Sequence, residues 1–104
     1  MVERVWSGRA VSAAAAAEYA GYFERVVMPE LAAVRWYRGA RLLRREVAGA
    51  IEIVVATRWD SLNAIRGFAG DDIDRAVVHD EAAALFSDYD RTARHFEIVR
   101  DHPV

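Results

Sequence analysis

No cysteine occurs among the 104 residues, which excludes disulfides, a thiolate nucleophile and cysteine-ligated iron–sulfur clusters. Lysine is absent as well: all 14 basic residues are arginine. Schiff-base and pyridoxal chemistry, which need a lysine amine, are excluded with it. No apolar run approaches the roughly 20 residues of a membrane-spanning helix, and the start, MVERVWSGR, carries no apolar signal core. No membrane association and a cytoplasmic location are the expectations. Charge is nearly balanced, at -2 with a pI near 5.9, and no basic block stands out. Nucleic-acid binding driven by phosphate neutralisation is therefore not expected. Phosphate-cradling glycine loops, G-x-S-x-G and H-E-x-x-H are also missing.

What is present is apolar surface, with 54% hydrophobic residues in a chain long enough for one domain, residues 1–104. So small a chain buries only about two-thirds of its unfolded surface, and an apolar surplus often ends in a subunit interface. A homodimer is the expected assembly.

The organising stretch is Ile51 to Gly70, IEIVVATRWDSLNAIRGFAG. Ile51 to Thr57 is short and β-branched, which suits a strand; Ile51, Ile53, Val55 and Thr57 share one face. Asp60 or Ser61 then offers a capping oxygen, and apolar spacing becomes helical through Leu62, Ile65, Phe68 and Ala69, with Gly70 as the stop. Trp59 lies at the joint.

Around this stretch, Val2 to Arg9 alternates Val2, Arg4 and Trp6 against Glu3, Val5 and Ser7, a strand pattern in which Gly8 marks a bulge or an end. Ser12 caps a helix that runs through Ala13–Ala17 and the stripe Tyr19, Tyr22, Phe23, Val26 and Val27, until Pro29 breaks or kinks it. Ala40 to Val47 is a second strand, joined through Ala48-Gly49-Ala50 as a hairpin to the third. Asp71 and Asp72 cap a helical turn over Ile73–Val78; Glu81–Phe86 is a further turn, Asp88–Arg91 a loop, and Thr92–Val99 the last strand. The order β-α-β-β-α-β in a chain this short implies an α+β, ferredoxin-like fold, with helices on one face of an antiparallel sheet. The other face still carries valine and leucine and calls for a cover, most simply a second copy.

The run T-R-W-D-S-L-N-A-I-R-G-F-A-G-D-D-I, with the closing H-F-E-I-V, resembles the antibiotic biosynthesis monooxygenase family of dimeric α+β barrels, and the likeness spans nearly the whole chain. It implies a homodimer whose two sheets form a barrel, with a pocket in each subunit between sheet and helices. It also implies oxidation of a small aromatic, phenolic, anthrone or quinol-like ligand by dioxygen with no cofactor, in an apolar pocket with a few polar groups. In anthrone-oxidising relatives an Asn stands four positions before the strand-end Trp and a Tyr six after it; here those positions are Val55 and Ile65, and only Trp59 is kept. Haem-degrading relatives use an Asn on the first strand, a Trp on the second helix and a His ligand, for which this chain has Ser7, Phe68 and His79. A non-catalytic ligand-binding or stress-type barrel, and a polyketide isomerase or cyclase, are the alternatives.

The candidate site follows. Trp59 is a pocket-wall donor or a helix-to-strand anchor, and His79 a general base or a helix-end residue. Tyr22, Phe23, Trp36, Asn63 and Phe68 are candidate substrate-binding residues. His95, beside Glu97, is expected to face a dimer partner. Asp72-Ile73-Asp74 lacks the glycine and terminal glutamate of a calcium loop, and His79-Asp80-Glu81 are neighbours that cannot converge on one ion, so no metal is expected.

Overall fold

In the computed structural model, which describes residues 1–104, the central strand is β1 (Val2–Ala10). Along one edge it pairs antiparallel with β3 (Ala50–Trp59), from Val2 opposite Trp59 to Ala10 opposite Ile51. Outside β3 lies β2 (Tyr37–Val47), also antiparallel. Along the other edge β4 (Phe86–Tyr89) meets Gly8–Ala10, and β5 (Arg94–Glu97) meets Val2–Val5. β4 and β5 thus share one strand position. The arrangement is the ferredoxin-like α+β fold with its final strand broken in two.

The hairpin between β2 and β3 turns at Ala48 (φ 50°) and Gly49 (φ 81°), with Val47 opposite Ala50. Two successive positive φ values match the twist of the flanking strands. The first helix starts as its sequence implies: Ser12 Oγ accepts from the Ala15 amide at 3.0 Å, opening α1 (Ala13–Tyr22). Pro29 does not break it. The backbone widens into a π turn over Phe23–Val27 and resumes as α2 (Met28–Ala32), with Pro29 in the first turn, where a missing N–H costs least.

Other expectations are narrowed or corrected. The second helix is one 3-10 turn, Asn63–Ile65, followed by α3 (Arg66–Ala69); Ser61 Oγ accepts from Ala64 N, and Gly70 (φ 83°) ends it. Asp60 caps nothing, because it is paired with Arg38. Ile73–Val78 is an extended strap, not a helical turn: Asp72 Oδ1 takes the Asp74 amide, Arg75 bridges Thr92, and backbone bonds join Ala76 N to Arg91 O and Ala93 N to Asp74 O. Valine pairs such as Val77-Val78 suit that extended course. Glu81–Phe86 yields α4 (Asp80–Ala83) and the start of β4, in a stretch where the polar Ser87 and Asp88 hide a strand. Gly8 sits in regular pairing, and the bulge falls at Arg9/Ala10. Glycine is needed at position 8 for closeness, since a Cβ there would stand 2.7 Å from the Phe86 ring.

The inner sheet face carries Arg4, Trp6, Ile51, Ile53, Thr57 and Trp59, all buried beneath the helices and the strap. Trp6 and Tyr19 each meet Phe86 edge-on, at 5.4 and 5.0 Å between ring centres. The outer face is open. It shows Leu43 and Phe96, 47% and 46% exposed, with half-buried Val5 and Val54, set among the ion pairs Arg9–Asp88, Arg45–Glu52 and Arg41–Glu3. No helix is long and apolar enough to cross a membrane.

Candidate functional site

Between the inner sheet face, the first helix and the strap lies an apolar cavity of about 40 Å³. β1 supplies Arg4 and Trp6, β3 supplies Val55 and Thr57, and the helix supplies Tyr19, Tyr22, Glu30 and Leu31. Phe68 closes one side, and the strap contributes Val77, Val78 and His79.

At the mouth, His79 Nε2 is 2.9 Å from Glu30 Oε1, both side chains partly exposed. A carboxylate only accepts, so Nε2 carries the hydrogen and Nδ1 is left as the basic nitrogen. Inside, Tyr19 and Tyr22 are buried, and burial raises both phenol pKa values, for Tyr22 with help from Glu30 and Glu81. At neutral pH both remain protonated donors.

Arg4 is the least expected member. Only 4% exposed, it donates from Nη2 to the carbonyls of Arg75 (2.6 Å) and Ile73 (3.3 Å), while its Nε has no partner. Burial brings its pKa down to about 10 against the opposing pull of Asp74, so it is still a cation at neutral pH. Sequence reading missed it because an arginine on a strand is ordinarily solvated. The available signal was its shared face with Trp6.

Of the residues expected at the site, Tyr22, Phe68 and His79 line the cavity. Trp59 does not. It is fully buried, its Nε1 donates to Thr57 Oγ1 at 2.8 Å, and its ring lies against Tyr37 and Phe68. Its link to the cavity is indirect, through Thr57. Phe23 is buried in the core, Trp36 lies outside, 46% exposed under the Arg35 guanidinium, and Asn63 is on the surface. Ser7 is on the outer sheet face, its Oγ donating to Glu52 at 2.8 Å. No group of three or more His, Asp or Glu side chains is placed to hold a metal ion.

His95 also departs from expectation. It faces inward, across the strand pair from Arg4, with Nδ1 3.3 Å from Asp74 Oδ1 and Nε2 buried without a partner. Burial first, then Arg4, lowers its pKa, with Asp74 opposing. The unfolded chain therefore takes up a proton here near pH 6.5, before the folded chain does. The His95 contribution is complete above that pH and shrinks as pH falls below it, until the folded imidazole also protonates. Urea midpoints at about pH 7.5 and pH 5.5 are expected to differ, and His95→Gln to narrow the gap. An unchanged gap would show that other groups carry the dependence.

No protein-family profile and no curated protein matches the sequence. Among solved structures, the chain is similar to an Arg-to-Ser variant of MhuD, crystallised with two manganese protoporphyrin IX molecules bound per active site. The TM-score is 0.68 at 22% identity, over 100% of both chains. That likeness shows a shared fold, end to end.

Proposed function

We propose that this chain is a cofactor-independent monooxygenase of the dimeric α+β barrel type, acting on a small phenol, anthrone or quinol. The observation that carries this reading is the His79–Glu30 pair at the mouth of an apolar cavity whose inner wall holds the buried cation Arg4. His79 Nδ1 takes the substrate proton, and Glu30 stabilises the imidazolium that results. Arg4 favours the anion so formed, and the apolar walls keep water from competing. The anion passes one electron to dioxygen; the substrate radical and superoxide combine in a C–O bond. In an anthrone the ring CH₂ becomes C=O, one oxygen atom entering the product and the other leaving as water.

A cavity of about 150 Å³ is known to admit benzene, so about 40 Å³ is too small for a ring. Entry requires the strap to move outward. Its ties are a single bridge, a few backbone bonds and the Arg4 and His95 contacts. A porphyrin fits this arrangement poorly: it needs far more room, His79 Nε2 is engaged by Glu30, and Ser7 is on the far side of the sheet. The fold shared with a porphyrin-binding chain is what favours that second reading.

The test is oxygen uptake with a panel of anthrones and hydroquinones and no added cofactor. Uptake well above the buffer rate is expected; none across the panel would favour a non-catalytic binding barrel or an isomerase. The open outer face supports a homodimer, since Leu43, Phe96, Val5 and Val54 offer apolar surface that a second sheet would cover. Light scattering at micromolar concentration should give twice the chain mass, and a lone 11.7 kDa species would reject the dimer.

A further inference from the structure

We infer that the cavity selects ligands bearing an anionic group, a carboxylate or a phenolate, and that Arg4 and Thr57 together form the receptor for it. The inference rests on the cavity being the ligand site, and it adds the chemical class of what binds there.

Arg4 and Thr57 are direct cross-strand partners of β1 and β3 on the inner face, and both line the cavity. Directly opposed residues hold their Cβ atoms about 4.5–5.5 Å apart, close enough for two side chains to serve one ligand group. Thr57 is set as a donor by its neighbour: its oxygen accepts the Trp59 indole N–H at 2.8 Å, so its own hydrogen is left for another acceptor. The guanidinium is buried, charged and incompletely matched. It has two backbone carbonyls, an Nε with no partner and no carboxylate in hydrogen-bond contact. Asp74, the acidic group that acts on it, is itself mostly exposed and occupied with His95.

A buried cation matched by two carbonyls and, at 5.7 Å, the face of the Phe68 ring, with no anion bonded to it, attracts one, and a neutral ligand of the same shape leaves it as it was. The carboxylate of Glu30 also lines the cavity, but it is partly exposed to solvent at the mouth, whereas Arg4 is buried. A bound anion is therefore oriented with its charged end inward, against Arg4 and Thr57, and its apolar part along Trp6, Val55 and Phe68.

Benzoate, benzamide and benzamidine share one shape and differ in charge, so their calorimetric titration tests the inference on the unaltered protein. Benzoate is expected to bind at least about tenfold more tightly than benzamide, and benzamidine most weakly. Arg4→Gln should erase the preference, and Thr57→Val should reduce it, with far-UV circular dichroism confirming the fold of each. If Arg4→Gln does not fold, Arg4→Lys carries the test: it keeps the charge but loses the planar fork, so the preference should shrink without vanishing. Equal affinity for benzoate and benzamide overturns anion selection and leaves the cavity as a ligand site. A preference unmoved in the folded arginine and threonine variants overturns the receptor named here. No binding of any of the three overturns both this inference and the cavity reading.

Discussion

Trp59→Ala is expected to lower stability by about 3–5 kcal/mol, the usual cost of removing a buried Trp or Phe side chain. The residue is fully buried at the end of β3, edge-on to Tyr37 at 5.4 Å and tilted against Phe68 at 6.1 Å. Its strand neighbours are Val2 on one side and Tyr37 on the other, so it ties β1, β2 and β3 at one point. Loss of the indole N–H also removes the partner of Thr57, adding about 1 kcal/mol. Against a total of about 5–15 kcal/mol for a domain, the variant is close to unfolding. Trp36→Ala provides the contrast: that ring is exposed, and its stacking under Arg35 is worth about 1 kcal/mol. Urea midpoints measure both. Equal shifts for the two tryptophans would show that Trp59 is not the anchor of the sheet.

His79→Asn is expected to cut oxygen uptake about 100-fold or more, the scale of a positioned general base, with little change in KM. Asparagine keeps a polar side chain at the mouth but has no basic nitrogen. Glu30→Gln should act in the same direction and by less, because the imidazole remains and only its orienting, charge-matching partner is lost. The partial exposure of both residues makes an effect on folding small, which the melting temperature of each variant would confirm. Uptake at the unaltered rate in His79→Asn would keep the oxygenase and discard this residue as its base.

Much of the fold was legible because its strands follow the alternation rule and its turns the glycine rule. Ile51–Thr57, Ser12 and Ala48-Gly49 sit where local chemistry puts them, and the ferredoxin-like order follows. The misreadings share one physical source, tertiary contact overriding local preference. Asp71 and Asp72 look like helix caps, yet the following residues are drawn into the strap by Arg4 and by the backbone of Arg91–Ala93. Asp88 looks like the start of a loop, yet it pairs with Arg9 across a strand ladder. At the cavity, the aromatic residues on an inward stripe, Tyr22 and Phe68, reach the wall, whereas Trp36, whose positive φ of 68° turns the chain at the surface, lies outside it. Arg4 was hidden by its charge: its alternation with Trp6 marks the inward face of β1, but arginine on a strand is ordinarily solvated.

In evolutionary terms, the break between β4 and β5 separates the length of a loop from the register of a sheet. An insertion inside an unbroken edge strand would send every later side chain to the wrong face. Here each half holds its own register on β1, so a change of length between Asp90, whose carbonyl takes the Trp6 indole N–H, and Arg94 does not slide either half along the sheet. That same connection carries Arg91, Thr92 and Ala93, the backbone against which the cavity's strap is fastened. A lineage built on this sheet can therefore vary how its cavity is walled at one short loop without shifting the register of the sheet behind it.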